Sequence, residues 1–291
     1  KRFSDIFTAA KCDIVFIHLE VFPLGPPIFE WLFSKLGRKI IYDLDDAIYM
    51  GVTSSANKFL KFLKCSSKIK RLIEMSSHVI TCNIYLADYA RKYNKNVTAI
   101  PTSVDTERFK PDVKKPEGNL TIGWIGSHST ARYLEALKPV FLGLAKNHKF
   151  DLKIIGASNY DIRIDGVNIV NLEWNLKDDI RQFQSLDIGV YPLPEDEWIR
   201  GKTGFKTIQY MSVGVPCVVS DVGANRDIVK DGINGYLAKT EDEWIEKLSI
   251  LIDSHELRQR IGSAGRITAE EKFSVKANAP RYLEIIKRIS P

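Results

Sequence analysis

Short apolar runs rich in Val, Ile and Tyr alternate along the chain with longer stretches of helical periodicity. That alternation predicts parallel βαβ units. The strand pattern falls at 13–18, 39–43, 78–82 and 97–100 in the first part of the chain. In the second part it falls at 120–125, 151–155, 167–170, 187–191 and 215–219. Helical patterns lie between them, among them 27–36, opened by Pro27, and 131–147. The stretch 110–119 combines two prolines, a glycine and three lysines with little apolar content, and reads as a hinge. The expected fold class is α/β, with two Rossmann-like, doubly wound parallel-sheet domains facing a cleft. The domains are 1–112 and 113–274, and the closing helix, 275–291, is expected to cross back onto the first. Four strands are few for a doubly wound domain and the chain starts at Lys1, so the first domain is read as incomplete, lacking an opening βαβ unit. A single large α/β domain is the alternative.

Composition narrows this further. Of the 291 residues, 44% are hydrophobic and 27% charged, which is ordinary globular composition. No uncharged apolar run reaches the roughly 18 residues a membrane-spanning helix needs. Cys12, Cys65, Cys82 and Cys217 are scattered without a C-x-x-C pair and read as reduced thiols, which points to a cytoplasmic protein. The net charge of +6 is uneven: residues 1–112 hold 17 Lys and Arg against 12 Asp and Glu, and the rest hold 25 against 24. A phosphate-rich ligand or an anionic membrane surface fits that excess. Nucleic acid is not an expected partner, because no basic run is interleaved with stacking aromatics.

The stretch richest in candidate chemistry is Arg200-Gly-Lys-Thr-Gly-Phe-Lys-Thr-Ile-Gln-Tyr-Met-Ser-Val-Gly-Val-Pro-Cys-Val-Val-Ser. Thr203 is a candidate N-cap for a helix over 204–212, whose start and dipole suit a diphosphate. Gly201 and Gly204 would let the backbone approach that ligand. Phe205, Ile208 and Met211 share one helical face, and Lys202, Lys206 and Gln209 another. The stretch resembles the donor-binding segment of family 4 GT-B glycosyltransferases. Three further segments agree in order: Pro101-Thr-Ser-Val-Asp105, Ile122-Gly-Trp-Ile-Gly-Ser127, and Gly223-Ala-Asn-Arg-Asp-Ile-Val-Lys-Asp-Gly-Ile-Asn-Gly-Tyr-Leu237.

The resemblance implies a retaining, metal-independent transfer of a hexosyl group from a UDP- or GDP-linked sugar to a glycan or lipid-linked acceptor, in cell-surface polysaccharide synthesis. It places Gly126, Ser127, Gly201, Thr203, Gly204, Phe205 and Gln209 at the donor. It also puts Arg132 at the departing diphosphate, and Lys202 and Lys206, on their shared helix face, are read as supplying the charge missing at Ser127. Two glutamates of the family pattern are absent: their positions hold Gly201 and Gln209. The family's Gly-Arg after the first donor strand is Gly126-Ser127, and its following lysine falls at or near Arg132. No cofactor and no metal site is expected, since the five histidines are dispersed. A nucleotide-sugar epimerase and a non-catalytic nucleotide-sugar-binding protein are the alternatives.

On the acceptor side, Ile40-Ile-Tyr-Asp-Leu-Asp-Asp46 ends a strand with three carboxylates, Asp43, Asp45 and Asp46. Asp45 best matches the family's cleft-facing acid or histidine. Asp45 and Asp46 either orient an acceptor hydroxyl or cap the next turn. His18, at a strand end, either lines the same cleft or is structural, and His128 carries the same two readings. A last feature is residues 55–75. Phe59, Phe62, Leu63, Ile69 and Ile73 fall on one helical face, opposite Lys61, Lys64, Lys68 and Arg71. Either this helix lies on an anionic membrane surface, making the protein peripheral on the cytoplasmic face, or it is a solvated surface helix.

Overall fold

The computed structural model describes residues 2–22, 24–51, 67–112 and 118–290. The chain divides into two compact units. The first holds the chain up to Thr102, the segment Asp196–Thr203 and everything from Asn278 on; the second holds Ser103–Glu195 and Gly204–Ala277.

The first unit carries four parallel strands in sequence order: β1 (Ile14–His18), β2 (Lys39–Leu44), β3 (His78–Thr81) and β4 (Val97–Ala99). Successive strand residues point to opposite faces, and the core divides accordingly. Ile40, Tyr42, Leu44 and Val79 pack with Phe33, Ile69, Leu72, Ile73 and Leu86 from the helices Ile28–Lys35, Lys68–Met75 and Ile84–Arg91. Ile41, Ile80 and Ile100 pack on the other face against Ile285 of the closing helix, Val275–Ile289. Strands added in one direction by right-handed crossovers put their helices on one face. The closing helix covers the face left over.

The second unit adds β5 (Thr121–Ile125), β6 (Asp151–Ile155), β7 (Asn168–Leu172), β8 (Ile188–Tyr191), β9 (Cys217–Ser220) and β10 (Tyr236–Ala238). All pair in parallel, in the order β10-β9-β8-β5-β6-β7. Winding reverses between β5 and β8, which makes the carboxyl ends of these two strands the topological switch point. Ile122, Trp124, Leu152, Ile154 and Val190 serve one core; Ile125, Ile155, Cys217 and Val219 serve the other.

Nine of the ten strands among the described residues lie where the pattern predicts them. β10 escapes because it has three residues and no alternation to read. The helix expected over 131–147 is instead a short helix, His128–Ala131, a 3-10 segment, Arg132–Leu137, and a helix, Lys138–Ala145. Pro139 supplies the break, since proline is tolerated only in a first turn.

The first border falls at Thr102 rather than within 110–119, of which 113–117 lie outside the described residues. Asp196–Thr203 joins the first unit through its own contacts. Asp196 caps the helix Glu197–Arg200, Trp198 packs against the first core, and Asn83 donates to the carbonyls of Arg200 and Lys202.

Of the basic stripe, Lys61 and Lys64 lie outside the described residues, as do Phe59, Phe62 and Leu63. Lys68 is not on an exposed face: it is 2% exposed and lies 3.3 Å from Glu20 and 3.9 Å from Glu30. Periodicity alone cannot show an ion partner arriving from distant sequence. No helix among the described residues is long and apolar enough to cross a membrane.

Candidate functional site

Candidate chemistry gathers at the carboxyl ends of strands in both units. In the first, parallel pairing sets His18 on β1 opposite Asp43 on β2. His18 Nδ1 lies 3.1 Å from Asp43 Oδ2, and Nε2 lies 3.8 Å from Asp45 Oδ2. A carboxylate accepts only, so Asp43 takes a proton-bearing Nδ1, an arrangement that in the neutral tautomer leaves Nε2 without a proton and facing Asp45. The His18 side chain is 53% exposed.

Burial pushes the Asp43 carboxyl up, partly offset by its bond to His18. Burial pushes Asp45 up as well, and His18 again opposes the rise while Asp46 adds to it. Asp45 Oδ1 is buried with no hydrogen-bond partner among the described residues. A carboxyl held protonatable beside an oriented imidazole can take up or return a proton.

Asp46 bonds locally: its Oδ1 accepts from the Ala47 N–H at 2.9 Å. Its Oδ2 lies 3.3 Å from Lys202 Nζ, which also sits 4.9 Å over the Trp198 ring. Lys202 therefore stands in the first unit with Asp46, and not on a helix face with Lys206 and Gln209. Gly201 is small for a local reason, since a methyl there would lie 2.5 Å from Ala47 Cβ.

In the second unit the site is shaped by backbone. Gly126 and Ser127 leave β5, and Gly156 leaves β6 with φ +88. A methyl on Gly156 would lie 2.1 Å from the Gly126 carbonyl oxygen, and one on Gly126 would strike the Trp124 ring. The loop after β6 approaches that after β5 because Gly156 carries no side chain, and Gly126 leaves room for the Trp124 ring. Ser127 opens the helix His128–Ala131 through a capping box with Thr130, and its hydroxyl lies 2.9 Å from that of Ser129. His128 and Arg132 are exposed, and the Arg132 guanidinium lies over Tyr133 at 5.2 Å.

The helix expected from Thr203 begins one step later. Its N-cap is Gly204, left-handed at φ 65, and the helix runs Phe205–Ser212. Thr203 does not cap it, because the turn needs a positive φ that glycine alone adopts freely. Ile208 and Met211 are fully buried and Phe205 packs beside them, as the face reading requires. Lys206 and Gln209 are half-buried on the next turn.

Two anchors of this helix carried no sequence signal. Thr207 Oγ1 bonds Asn225 Oδ1 at 2.8 Å, and Asn225 Nδ2 donates to the Ser220 carbonyl at 3.0 Å. Tyr210, fully buried, accepts from the Ile125 N–H at 3.2 Å. A glycine inside a strand was the only available hint: a methyl on Gly189 would lie 2.7 Å from the Tyr210 ring.

Residues 119–254 match the family described as Glycosyl transferases group 1. Over 232 residues the chain is 25% identical to the capsular polysaccharide biosynthesis glycosyltransferase CapM of Staphylococcus aureus. That similarity covers 72% of this chain and 58% of CapM, so the chain spans less than two thirds of that relative. Among solved structures, a glycosyltransferase from Rickettsia africae superposes with TM-score 0.72 at 15% identity, covering 99% of this chain and 79% of that one. HepE from Anabaena, solved with UDP-glucose, gives TM-score 0.72 at 14% identity, covering 99% and 82%. Loop and helix after β5, the Gly204 turn and the helix Phe205–Ser212 all fall inside the segment that matches the group 1 family, and the likeness to the solved glycosyltransferases is one of fold, GT-B.

Proposed function

We propose that this chain is a retaining family 4 glycosyltransferase, moving a hexosyl group from a UDP- or GDP-linked sugar to a glycan or lipid-linked acceptor in cell-surface polysaccharide synthesis. The observation that carries the reading is the group 1 domain over residues 119–254, which encloses both donor-side elements. The capsular role in CapM's name and the UDP-glucose in the HepE structure favour this donor and product class.

In the proposed reaction the bond from the sugar carbon to the diphosphate oxygen breaks, and a bond to the acceptor oxygen forms on the same face. The acceptor proton passes to the departing diphosphate. Lys206 and Arg132, with the backbone at Gly204–Phe205, would stabilise charge growing on that diphosphate, so no metal is required. Gln209 would hydrogen-bond the ribose hydroxyls without the charge assistance of a glutamate. In the first unit, His18, oriented by Asp43, and Asp45 would hold the acceptor hydroxyl, while Asp46 and Lys202 fix the turn beneath them. A cytoplasmic location follows from the donor class; binding to an anionic membrane surface now rests on Lys70 and Arg71 among the described residues, both exposed.

A thermal-shift panel of nucleoside diphosphates and their sugars tests this. Ligand at a hundredfold excess over its dissociation constant stabilises by about 2.7 kcal/mol. A melting temperature unmoved by every nucleotide would sink the donor assignment. Conversion of donor without acceptor would point instead to an epimerase, and binding without turnover to a nucleotide-sugar-binding protein.

A further inference from the structure

The segment leaving His18 is held residue by residue. Leu19 has φ 57, the sole non-glycine residue with positive φ among those described. Its N–H donates to the Asp43 carbonyl at 3.0 Å, so one residue, Asp43, binds both the His18 ring and the next peptide. Glu20 Oε1 lies 3.3 Å from Lys68 Nζ. The Val21 N–H donates to Glu30 Oε1 at 3.1 Å, and the Phe22 carbonyl accepts from Lys68. Two buried side chains, Lys68 and Glu30, thus tie down three consecutive residues that begin two positions after the imidazole.

This is a costly way to make a core. Lys68 is 2% exposed and Glu30 not at all, and Glu30 Oε2 is buried with no partner among the described residues. The neighbouring Tyr42 hydroxyl is in the same condition. Replacing a buried ion pair by apolar groups of similar volume is often neutral or stabilising. A leucine in the left-handed region adds strain, and such strain persists only where the surroundings over-determine it. Both features converge on the backbone that follows His18.

We propose that Lys68 and Glu30 are positioning residues for His18, holding segment 19–22 so that the ring keeps its Nδ1–H on Asp43 and its Nε2 toward Asp45. The inference rests on the acceptor-side role proposed for His18, but its geometry is measurable without turnover.

The test is ¹⁵N NMR of the histidine side chains in the full chain, with His18→Gln identifying the resonance, alongside turnover on a UDP-sugar. In the parent protein neutral His18 should be the Nδ1–H tautomer. Lys68→Met combined with Glu30→Leu removes both ties while keeping the volume filled. It should give a mixed tautomer and lower kcat by about tenfold to a hundredfold, the scale of a small misplacement of a catalytic group. The donor KM should stay within about twofold, since donor binding is assigned to the second unit. Glu30→Gln keeps an acceptor for the Val21 N–H and should behave as the parent. If the double variant does not fold, Glu30→Leu alone reads the same effect, because it frees the Val21 N–H while Glu20 still pairs Lys68. An unchanged Nδ1–H tautomer in a folded double variant, or in Glu30→Leu, overturns the proposal. Absent turnover in the parent with the tautomer change intact would sink the enzymatic reading and leave the positioning role standing.

Discussion

In the first unit the candidate chemistry is a set of titratable side chains, His18, Asp43 and Asp45, brought within 3.1 to 3.8 Å by the pairing of two strands. In the second unit it is mostly backbone: two loops and a helix start whose paths exist because Gly126, Gly156 and Gly204 lack side chains. The same kind of sheet thus supports two kinds of site. A site made of protons needs burial and partners, and its cost falls on stability. A site made of backbone needs close approach, and its cost falls on which residues the sequence can use there. Each makes a different failure the informative one.

The largest effects are expected where the proton-handling groups are removed. His18→Gln and Asp45→Asn should each lower turnover by about 10²–10⁴-fold, the usual range for a positioned acid or base. Asp45→Asn should do so while raising stability at neutral pH. Burial lifts the Asp45 carboxyl above its ordinary value in the folded chain, so ionising it opposes folding. Below about pH 3.9 both folded and unfolded carboxyls are protonated and the cost is absent; it grows as pH rises through the raised folded value. The variant's gain should therefore be present at neutral pH and vanish at acid pH in denaturant melts. Activity and stability lost together would make Asp45 structural and erase the contrast between the units.

Next in size is Lys206→Met, which keeps the stem and removes the charge. Turnover should fall by about 10²–10³-fold, with binding of the intact donor changed far less. Arg132→Met should act similarly, and the double variant should cost less than the product of the singles if both cations serve one leaving group. Near-parent turnover in Lys206→Met would leave the second unit with backbone alone.

Gly156→Ala probes that backbone directly. A methyl at φ +88, 2.1 Å from the Gly126 carbonyl oxygen, combines strain with overlap. Each effect costs about 1–3 kcal/mol, so a loss of about 3 kcal/mol is expected. Hydrogen exchange should show it in amides of β5 and β6 and leave those of β1 and β2 unchanged. Equal loss in both units would show that they unfold together.

The smallest effect concerns the closing helix on the first unit. His78 accepts from Arg288 through Nδ1 at 3.0 Å and contacts Thr98 Oγ1 through Nε2 at 2.9 Å. Burial, then the neighbouring Arg288, pushes the imidazole down to about 4. Its folded value lies below the ordinary value of about 6.5, so the contact is complete above that pH and is lost as pH falls toward 4. His78→Gln should flatten the stability profile between pH 7 and pH 5, with a change near 1 kcal/mol at neutral pH. A profile as steep as the parent's would mean that another group sets it.

Much of this molecule was legible beforehand. Short apolar runs marked nine strands, because a strand buried on both faces leaves its signature in adjacent residues. The motif after Arg200 and the Gly126 loop were readable from their resemblance to a family pattern, although what their glycines approach lies elsewhere in the chain, as Ala47 does for Gly201. The apolar face of Phe205, Ile208 and Met211 follows from helical geometry alone. What adjacency does not encode went unread. Gly204 rather than Thr203 at the helix start, and Asn225 locking that helix, depend on a left-handed turn or on contacts from elsewhere.

The same limit governs the charges. Lys202 and Lys206 are four positions apart and look like one face, yet a turn between them sends Lys202 to Asp46. Lys68 looks like one cation of a surface stripe, yet it is sealed between Glu20 and Glu30. An apolar residue is driven inward whatever its neighbours, so its placement is written in its own periodicity. A charged residue is buried only where a partner of opposite sign arrives, and that arrival is decided by the pairing of strands and the crossing of helices, once the whole chain has folded.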